Sequence, residues 1–285
     1  MGSFNFRKEV LIKVHFLWKA FKKFSDDHGF FLSSGITFNL LICLVPLLLL
    51  VLSLAGIYLY NDREVLNHIR RYLENAIPGL DPRIMKNIFR IIKDRKIVGM
   101  LGIGGLIWTC TWVFGSLRIG LNIVFRVEKS RGVLRGKAVD LLMIFLVIVL
   151  LFTTLTFTSV ITFIQKYPFS FLIDLGGITR FILRYLIPFF FTYWMFFLIF
   201  KIVPNKKVPF KPAFQAALFT SLLWEVAKQL FGWYVLHLGR FSMVYGSLGI
   251  LAIFFFWIYY SSAILLLGGE VCYLLERSKN GISHG

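Results

Sequence analysis

PAFQAALFTSLLWEVAKQLFGWYVL, residues Pro212–Leu236, and VYGSLGILAIFFFWIYYSSAILLLGGEVCYLL, residues Val244–Leu275, stand on either side of the short polar link His237–Met243. Each run has the roughly 20 mostly apolar residues that carry a helix, rising about 1.5 Å per residue, across about 30 Å of hydrocarbon. The pair reads as a transmembrane hairpin, with spans at about 213–236 and 244–275. Its first helix carries two charges, Glu225 and Lys228. Counted from Pro212, Glu225 lies about 19 Å along the helix and Lys228 about 24 Å, which puts the acid near mid-bilayer. Ionisable groups at that depth are costly, so they turn toward a bundle interior or a polar cavity and find partners. The i, i+3 spacing puts both on one face, where they can pair with each other.

The rest of the chain carries the same signature. It is 58% hydrophobic, has 32 Phe, and has a mean hydropathy of +0.75, far from the usage of soluble domains. A single polytopic, all-α membrane domain is expected. The net charge of +18 would suit nucleic acid only if its bases clustered to neutralise phosphates, and they are spread through the links instead. Cys43, Cys110 and Cys272 each lie inside an apolar run without CxxC or CxxH spacing, so neither a disulfide framework nor a metal site is expected. The first 28 residues lack the apolar core and small-residue cleavage site of a secretory leader.

Residues 1–30 form a basic amphipathic segment in which Val10, Val14, Leu17, Phe21 and Phe24 repeat at helical spacing, with Lys8, Lys19, Lys22 and Lys23 mostly elsewhere on the wheel. Such a helix either lies on an anionic membrane face or packs on the bundle from the aqueous side. The first span is set at about 31–60. Pro46 there frees the carbonyl of Ile42, and Asn39, Cys43 and Pro46 share a face that serves either as a packing seam or as part of a substrate path. Within Asn61–Lys96 two short interfacial helices are expected, around Val65–Ala76 and, after Asp81-Pro82, Ile84–Ile92.

The second span, about 97–124, opens with Gly99, Gly102 and Gly105 on one stripe, a surface for close helix approach. The third, about 138–164, presents Thr154, Thr158 and Thr162 on one face, whose hydroxyls can bond back to their own helix. The fourth, about 178–203, holds Arg184 and Pro188. Arg184 either snorkels to the interface or faces the interior. The sixth run is about 48 Å long if helical, so either it tilts or its first turns around Tyr245 and Ser247 are irregular and expose backbone amides to an anion. Arg118, Asn122, Asp140 and Glu270 are all expected near one membrane surface, with a salt-bridge cluster tying three helices. Six spans put both termini on the same side. The N-terminal region, the second and fourth links and the tail, 276–285, carry more Lys and Arg than the opposite links, whose bases belong mostly to Asn61–Lys96, beside acids. The positive-inside rule therefore gives cytoplasmic termini.

Lys201-Ile-Val-Pro-Asn205, Trp224-Glu-Val-Ala-Lys228, Tyr245-Gly-Ser-Leu-Gly249, Trp257-Ile-Tyr259 and Leu267-Gly-Gly-Glu270, with Phe38 to Pro46-Leu-Leu and Trp108 to Asn122, occur in an order that resembles the YihY/BrkB family of bacterial inner-membrane proteins. The resemblance covers about Phe24 to Glu276. It implies six spans, cytoplasmic termini and a transporter-like or envelope-lipid role. Members have also been called ribonuclease BN or virulence factor. The residues argue against RNA cleavage: His15, His28, His68, His237 and His284 are scattered without metal-ligand spacing, and the most notable acid, Glu225, is set inside the bilayer. No Walker motif occurs either. No catalytic residue, cofactor or metal is therefore expected. The first expectation is transport of an amphipathic or anionic envelope component such as lipid, along a path drawn from Glu225, Lys228, Arg184, Asn39, Pro46, Tyr245 and Ser247. The second is a non-transporting scaffold or lipid-binding partner of envelope machinery. Expected partners are membrane lipids, with envelope proteins or a second copy as further possibilities, and no nucleic acid.

Overall fold

The computed structural model describes residues 2–59, 94–128, 132, 136–146, 148–149, 153, 186–238 and 242–279. Described residues in regular structure are all helical. We number the helices α1 (Gly2–Asp26), α2 (Gly29–Leu59), α3 (Arg95–Val124), α4 (136–146), α5 (Ile187–Ile202), α6 (Phe210–Leu238) and α7 (Ser242–Lys279). Three stretches among them are long and apolar enough to cross a membrane: Gly29–Leu54, Lys96–Val124 and Leu251–Ser278. Helix α5 is apolar but shorter, and α6 carries the charged pair. The interfacial helices expected between the first two spans, Thr154, Thr158, Thr162 and Arg184 lie outside the described residues. Helix α5 is described from Ile187, with Pro188 near the start of that described part.

Helix α7 is continuous from Ser242, so of the two forms expected for the sixth run the structure has the unbroken one. Its 38 residues come to about 57 Å, longer than hydrocarbon is thick. Helix α2 likewise runs unbroken through Pro46. Buried hydroxyls in these helices close on their own backbone: Ser33 donates to Gly29 O, Thr37 to Ser33 O and Ser262 to Ile258 O, at 2.7, 2.7 and 2.9 Å. That return bond is what lets serine and threonine sit in an apolar interior.

The most extensive packing joins α2 to α3, along the glycine stripe predicted from the sequence. A Cβ on Gly99 would lie 2.6 Å from Ser53 Oγ, on Gly102 3.1 Å from the Leu50 backbone nitrogen, and on Gly105 3.1 Å from Pro46 Cβ. The Asn39–Cys43–Pro46 face is thus a packing seam at its last two positions. It also brings Cys43 Sγ to 3.5 Å from Cys110 Sγ, both as free thiols, a proximity that their spacing of 67 residues in sequence did not suggest. Copper-phenanthroline with oxygen should therefore join these two cysteines in the intact protein. The product would have lost two titratable thiols and kept the buried Cys272 unreacted, which thiol titration and mass spectrometry would read. A product linked through Cys272 instead would contradict this α2–α3 register.

The packed core lies toward one end. Ala20 and Phe24 of α1, Ile36 of α2, Leu121 and Val124 of α3, Phe196 and Phe200 of α5, Ala213 and Ala217 of α6, and Leu266 and Cys272 of α7 are all buried there. Toward the other end apolar side chains face outward, among them Val45, Met100, Leu230, Trp233 and Phe256, as a lipid-facing surface requires. Gly268 and Gly269 permit the tight end. A Cβ on Gly268 would fall 2.0 Å from Thr220 Oγ1 and 2.9 Å from Phe200 Cζ; one on Gly269 would fall 3.0 Å from Leu121 Cδ2. Helix α7 therefore wedges between α6 with α5 on one side and α3 on the other, its glycine backbone set against their side chains.

Candidate functional site

Two groups of charged residues stand out, one in each part of the bundle. Glu225 and Lys228 face the same side of α6, with Lys228 Nζ 2.6 Å from Glu225 Oε2 and Gln229 Nε2 donating to Glu225 Oε1 at 3.2 Å. Their side chains remain 27% and 43% exposed, respectively, so the pair is not sealed against close-packed aliphatic groups. Trp224, their neighbour on α6, turns inward and meets Phe196 of α5 at 5.8 Å and Trp257 of α7 at 5.3 Å between ring centroids. Beside this aromatic contact lies an apolar groove of about 360 Å³ between α6 and α7, lined by Ala227, Leu230, Phe231, Tyr234, Phe256 and Tyr260 among others. A second, between α2 and α7, has about 430 Å³ and includes Ser34, Thr37, Phe38 and Tyr259. Neither groove is lined by Glu225 or Lys228. Asn39, the residue after Phe38 in α2, is half-buried. Tyr245 and Ser247 fall on the first turns of α7, and their side chains lie outside the described residues.

The second group occupies the packed end. The sequence placed Arg118, Asn122, Asp140 and Glu270 together; the structure divides them among three separate contacts. Arg118 Nη1 lies 2.8 Å from Asp140 Oδ1, joining α3 to α4, with Asp140 nearly fully buried. Its guanidinium lies over Gly136, where a Cβ would come within 2.7 Å of Nη1. Asn122 Oδ1 accepts the backbone N–H of Asn205 at 2.8 Å, holding the link between α5 and α6 against α3. Lys201 fastens the same link from its other side by donating to Val208 O.

Glu270 takes a partner the sequence did not predict. Lys23 of α1 donates to Glu270 Oε2 at 2.8 Å and to Asp27 at 3.0 Å, with its ammonium 4.0 Å from the centre of the Tyr273 ring. The helical wheel sets Lys23 among the lysines that lie mostly away from the apolar stripe. In the structure it is turned inward, because Phe16, Ala20, Lys23 and Asp27 follow one another along a single helical row. Lys206 reaches Glu276 at 2.6 Å and lies 5.6 Å from the same ring, and Arg126 lies 3.8 Å from Asp27. Glu270 Oε1, fully buried, has no hydrogen-bond partner among the described residues.

Two left-handed residues shape this end. Helix α3 closes with Arg126 N–H on Ile123 O and Val127 N–H on Asn122 O, a Schellman turn whose left-handed position is Arg126 at φ 51°. The turn from α1 to α2 places His28 at φ 55°, and Gly29 follows it because a Cβ there would lie 2.2 Å from the Phe24 ring. The ends of α1, α3, α5 and α7 and the starts of α2, α4 and α6 are thereby gathered on one side. Lys23, Asp27, Arg126, Lys206 and Glu276 had no sequence signal beyond their positions near span ends. Among the described residues no cluster of His, Cys, Asp and Glu has the grouping of a metal site.

Comparison with known proteins matches residues 20–284 to the family described as Virulence factor BrkB. The chain is similar to a UPF0761 membrane protein of Chlorobium phaeobacteroides, 29% identical over 95% of this chain and 59% of the relative. A counterpart in Chlorobium luteolum is 31% identical over 86% of this chain and 56% of the relative. One in Haemophilus influenzae is 24% identical over 90% and 93%. The chain thus spans about three fifths of the length of the first relatives it matches and nearly all of the Haemophilus protein. No solved structure matches it. The motifs quoted from the sequence meet one another in space: Asn122 holds Asn205, Trp224 meets Trp257, and Gly268 seats on the helix that carries Trp224.

Proposed function

The chain belongs to the BrkB family of membrane proteins, and from that premise we propose that it moves an amphipathic anionic envelope component, such as a lipid, across a bacterial inner membrane. The observation that carries this reading is the Glu225–Lys228 pair, charged, well inside α6, and only partly covered. A buried ion pair that served stability alone would gain from close packing and further hydrogen bonds; this one keeps a cation accessible. In the proposed mechanism Lys228 attracts the anionic head, Glu225 holds the ammonium until the substrate displaces it, and the apolar grooves between α2, α6 and α7 accept acyl chains. The packed end supplies a fixed base, facing the cytoplasm by its excess of Lys and Arg. Arg184, Asn39, Pro46, Tyr245 and Ser247 remain the further candidates for the path.

A second reading, a non-transporting scaffold or lipid-binding partner, is favoured by the fact that Glu225, Lys228 and Gln229 satisfy each other within one helix. Reconstitution separates the two. In liposomes holding a fluorescent anionic phospholipid, the protein should expose inner-leaflet label to external dithionite. Lys228→Ala should slow that exposure at least about tenfold, equivalent to one lost charge-assisted contact. Flux identical in wild type, Glu225→Ala and Lys228→Ala would end the transport reading. Under the scaffold reading the paired reversal Glu225→Lys with Lys228→Glu would restore the stability that either reversal loses, with no flux in any of the proteins.

A further inference from the structure

Helix α1 has three sides, and only one of them is buried in the bundle. Phe16, Ala20 and Phe24 point to the core with Lys23, and Ala20 and Phe24 are 1% and 2% exposed. Next around the helix come Leu11, Val14, Leu17, Trp18 and Phe21, all exposed, Trp18 at 65%. The third side carries His15, Lys19, Lys22 and Asp26, also exposed. Ile12, exposed at the edge of this polar side, is the one apolar exception there. A helix that only packed on the bundle from water would have two sides, apolar inward and polar outward. The additional apolar side is continuous with the lipid-facing surface of the first span: the Phe21 ring meets Phe30 of α2 at 6.3 Å, and Phe30 and Phe31 are exposed in turn.

We propose that this outer side of α1 is a membrane-surface docking face, with Val14, Trp18 and Phe21 seated at the acyl boundary of the leaflet on the packed-end side and Lys19 and Lys22 among its anionic phosphate head groups. Apolar residues flanked by lysines, with a tryptophan at the boundary, are what an interfacial helix offers a bilayer of negative surface potential. The Lys23–Glu270 contact fixes the rotation of the helix, so that the lipid side cannot roll inward. The inference is independent of transport and holds for a scaffold equally.

The test uses the full-length protein in bilayers of phosphatidylcholine with about one third phosphatidylglycerol, which gives the negative surface potential the face requires. An environment-sensitive fluorophore is placed on Val14→Cys or Trp18→Cys, and for contrast on His15→Cys or Lys19→Cys, in a chain whose native cysteines are alanine. Labels at 14 and 18 should be quenched by acyl-chain nitroxide lipids at least about threefold more than those at 15 and 19, and shielded from aqueous iodide by a similar factor. Equal iodide access at all four positions overturns the proposal in favour of a solvated helix. Shielding from iodide without lipid quenching overturns it in favour of a second copy or another protein on this face. As a check that keeps the native cysteines, brominated lipid should quench the wild type more than Trp18→Phe; equal quenching also overturns it. Lys19→Glu with Lys22→Glu should reduce the lipid quenching only when phosphatidylglycerol is present, and no reduction would remove the anionic lipid from the proposal.

Discussion

Gly268→Ala is expected to destabilise the protein by about 1–3 kcal/mol, the usual cost of forcing a methyl into a filled interior. The new Cβ would stand 2.0 Å from Thr220 Oγ1 and 2.9 Å from Phe200 Cζ. Thr220 cannot simply rotate aside, because its hydroxyl donates to Ala216 O at 2.7 Å and its own Cβ is only 3.0 Å from the added atom. Relief requires α7 to move away from α6, which would open the core around Leu266 and Phe200. Thermal unfolding in detergent, followed by loss of monodisperse elution, measures the effect. Gly104→Ala, Gly115→Ala and Gly232→Ala are the controls: nothing lies within 4 Å of a Cβ at any of the three, and alanine favours the helix by up to about 1 kcal/mol. Thr220→Ala in the Gly268→Ala background should recover part of the loss, a coupling expected of atoms in direct contact. A Gly268→Ala protein as stable as the controls would mean that α6 and α7 do not approach as closely as described.

Lys23→Ala is expected to cost still more, about 3–5 kcal/mol, because it strands the Glu270 carboxylate without its cation. Glu270 is fully buried and Lys23 is 11% exposed, so neither can turn to water for compensation. The Lys23–Tyr273 contact is lost as well, adding about 0.5–2 kcal/mol. Replacing both residues, Lys23→Leu with Glu270→Leu, should return most of the stability, since a desolvated ion pair is often no better than apolar groups of similar volume. The single substitution has a second signature. With its contact to α7 gone, α1 should become a faster substrate for trypsin, and the double substitution should restore its resistance. Equal trypsin resistance in Lys23→Ala and wild type would show that packing of Ala20 and Phe24 alone holds α1 in place.

Both results concern contacts whose legibility in the sequence differs. The glycine stripe of α3 could be read directly, because Gly99, Gly102 and Gly105 repeat at helical spacing and small residues on one face have one main use in lipid. The Glu225–Lys228 pair could be read for the same reason: three residues apart on a helix is a neighbouring position, whatever the remainder of the fold does. Gly268 and Gly269 were visible as part of a motif, but nothing along the chain said that Thr220 and Phe200 would be their neighbours. The residues of the predicted cluster, Arg118, Asn122, Asp140 and Glu270, lie toward one end of the bundle but are divided among three separate contacts. Depth along a span follows from counting residues, whereas partners follow from which helix faces which.

The sequence by itself determined that this is an all-helical membrane chain, where its apolar runs lie, and which local pairs and stripes they carry. Those features depend on hydrocarbon thickness and the 3.6-residue helical repeat, both of which act on neighbours in the chain. Only the tertiary structure decided that Lys23 reaches Glu270 across 247 residues, that Cys43 faces Cys110 across 67, and that the packed core collects at one end. Those outcomes depend on the rotation of each helix about its own axis. That rotation is fixed by the fit of side chains from several helices together, and no periodicity within a single helix records it.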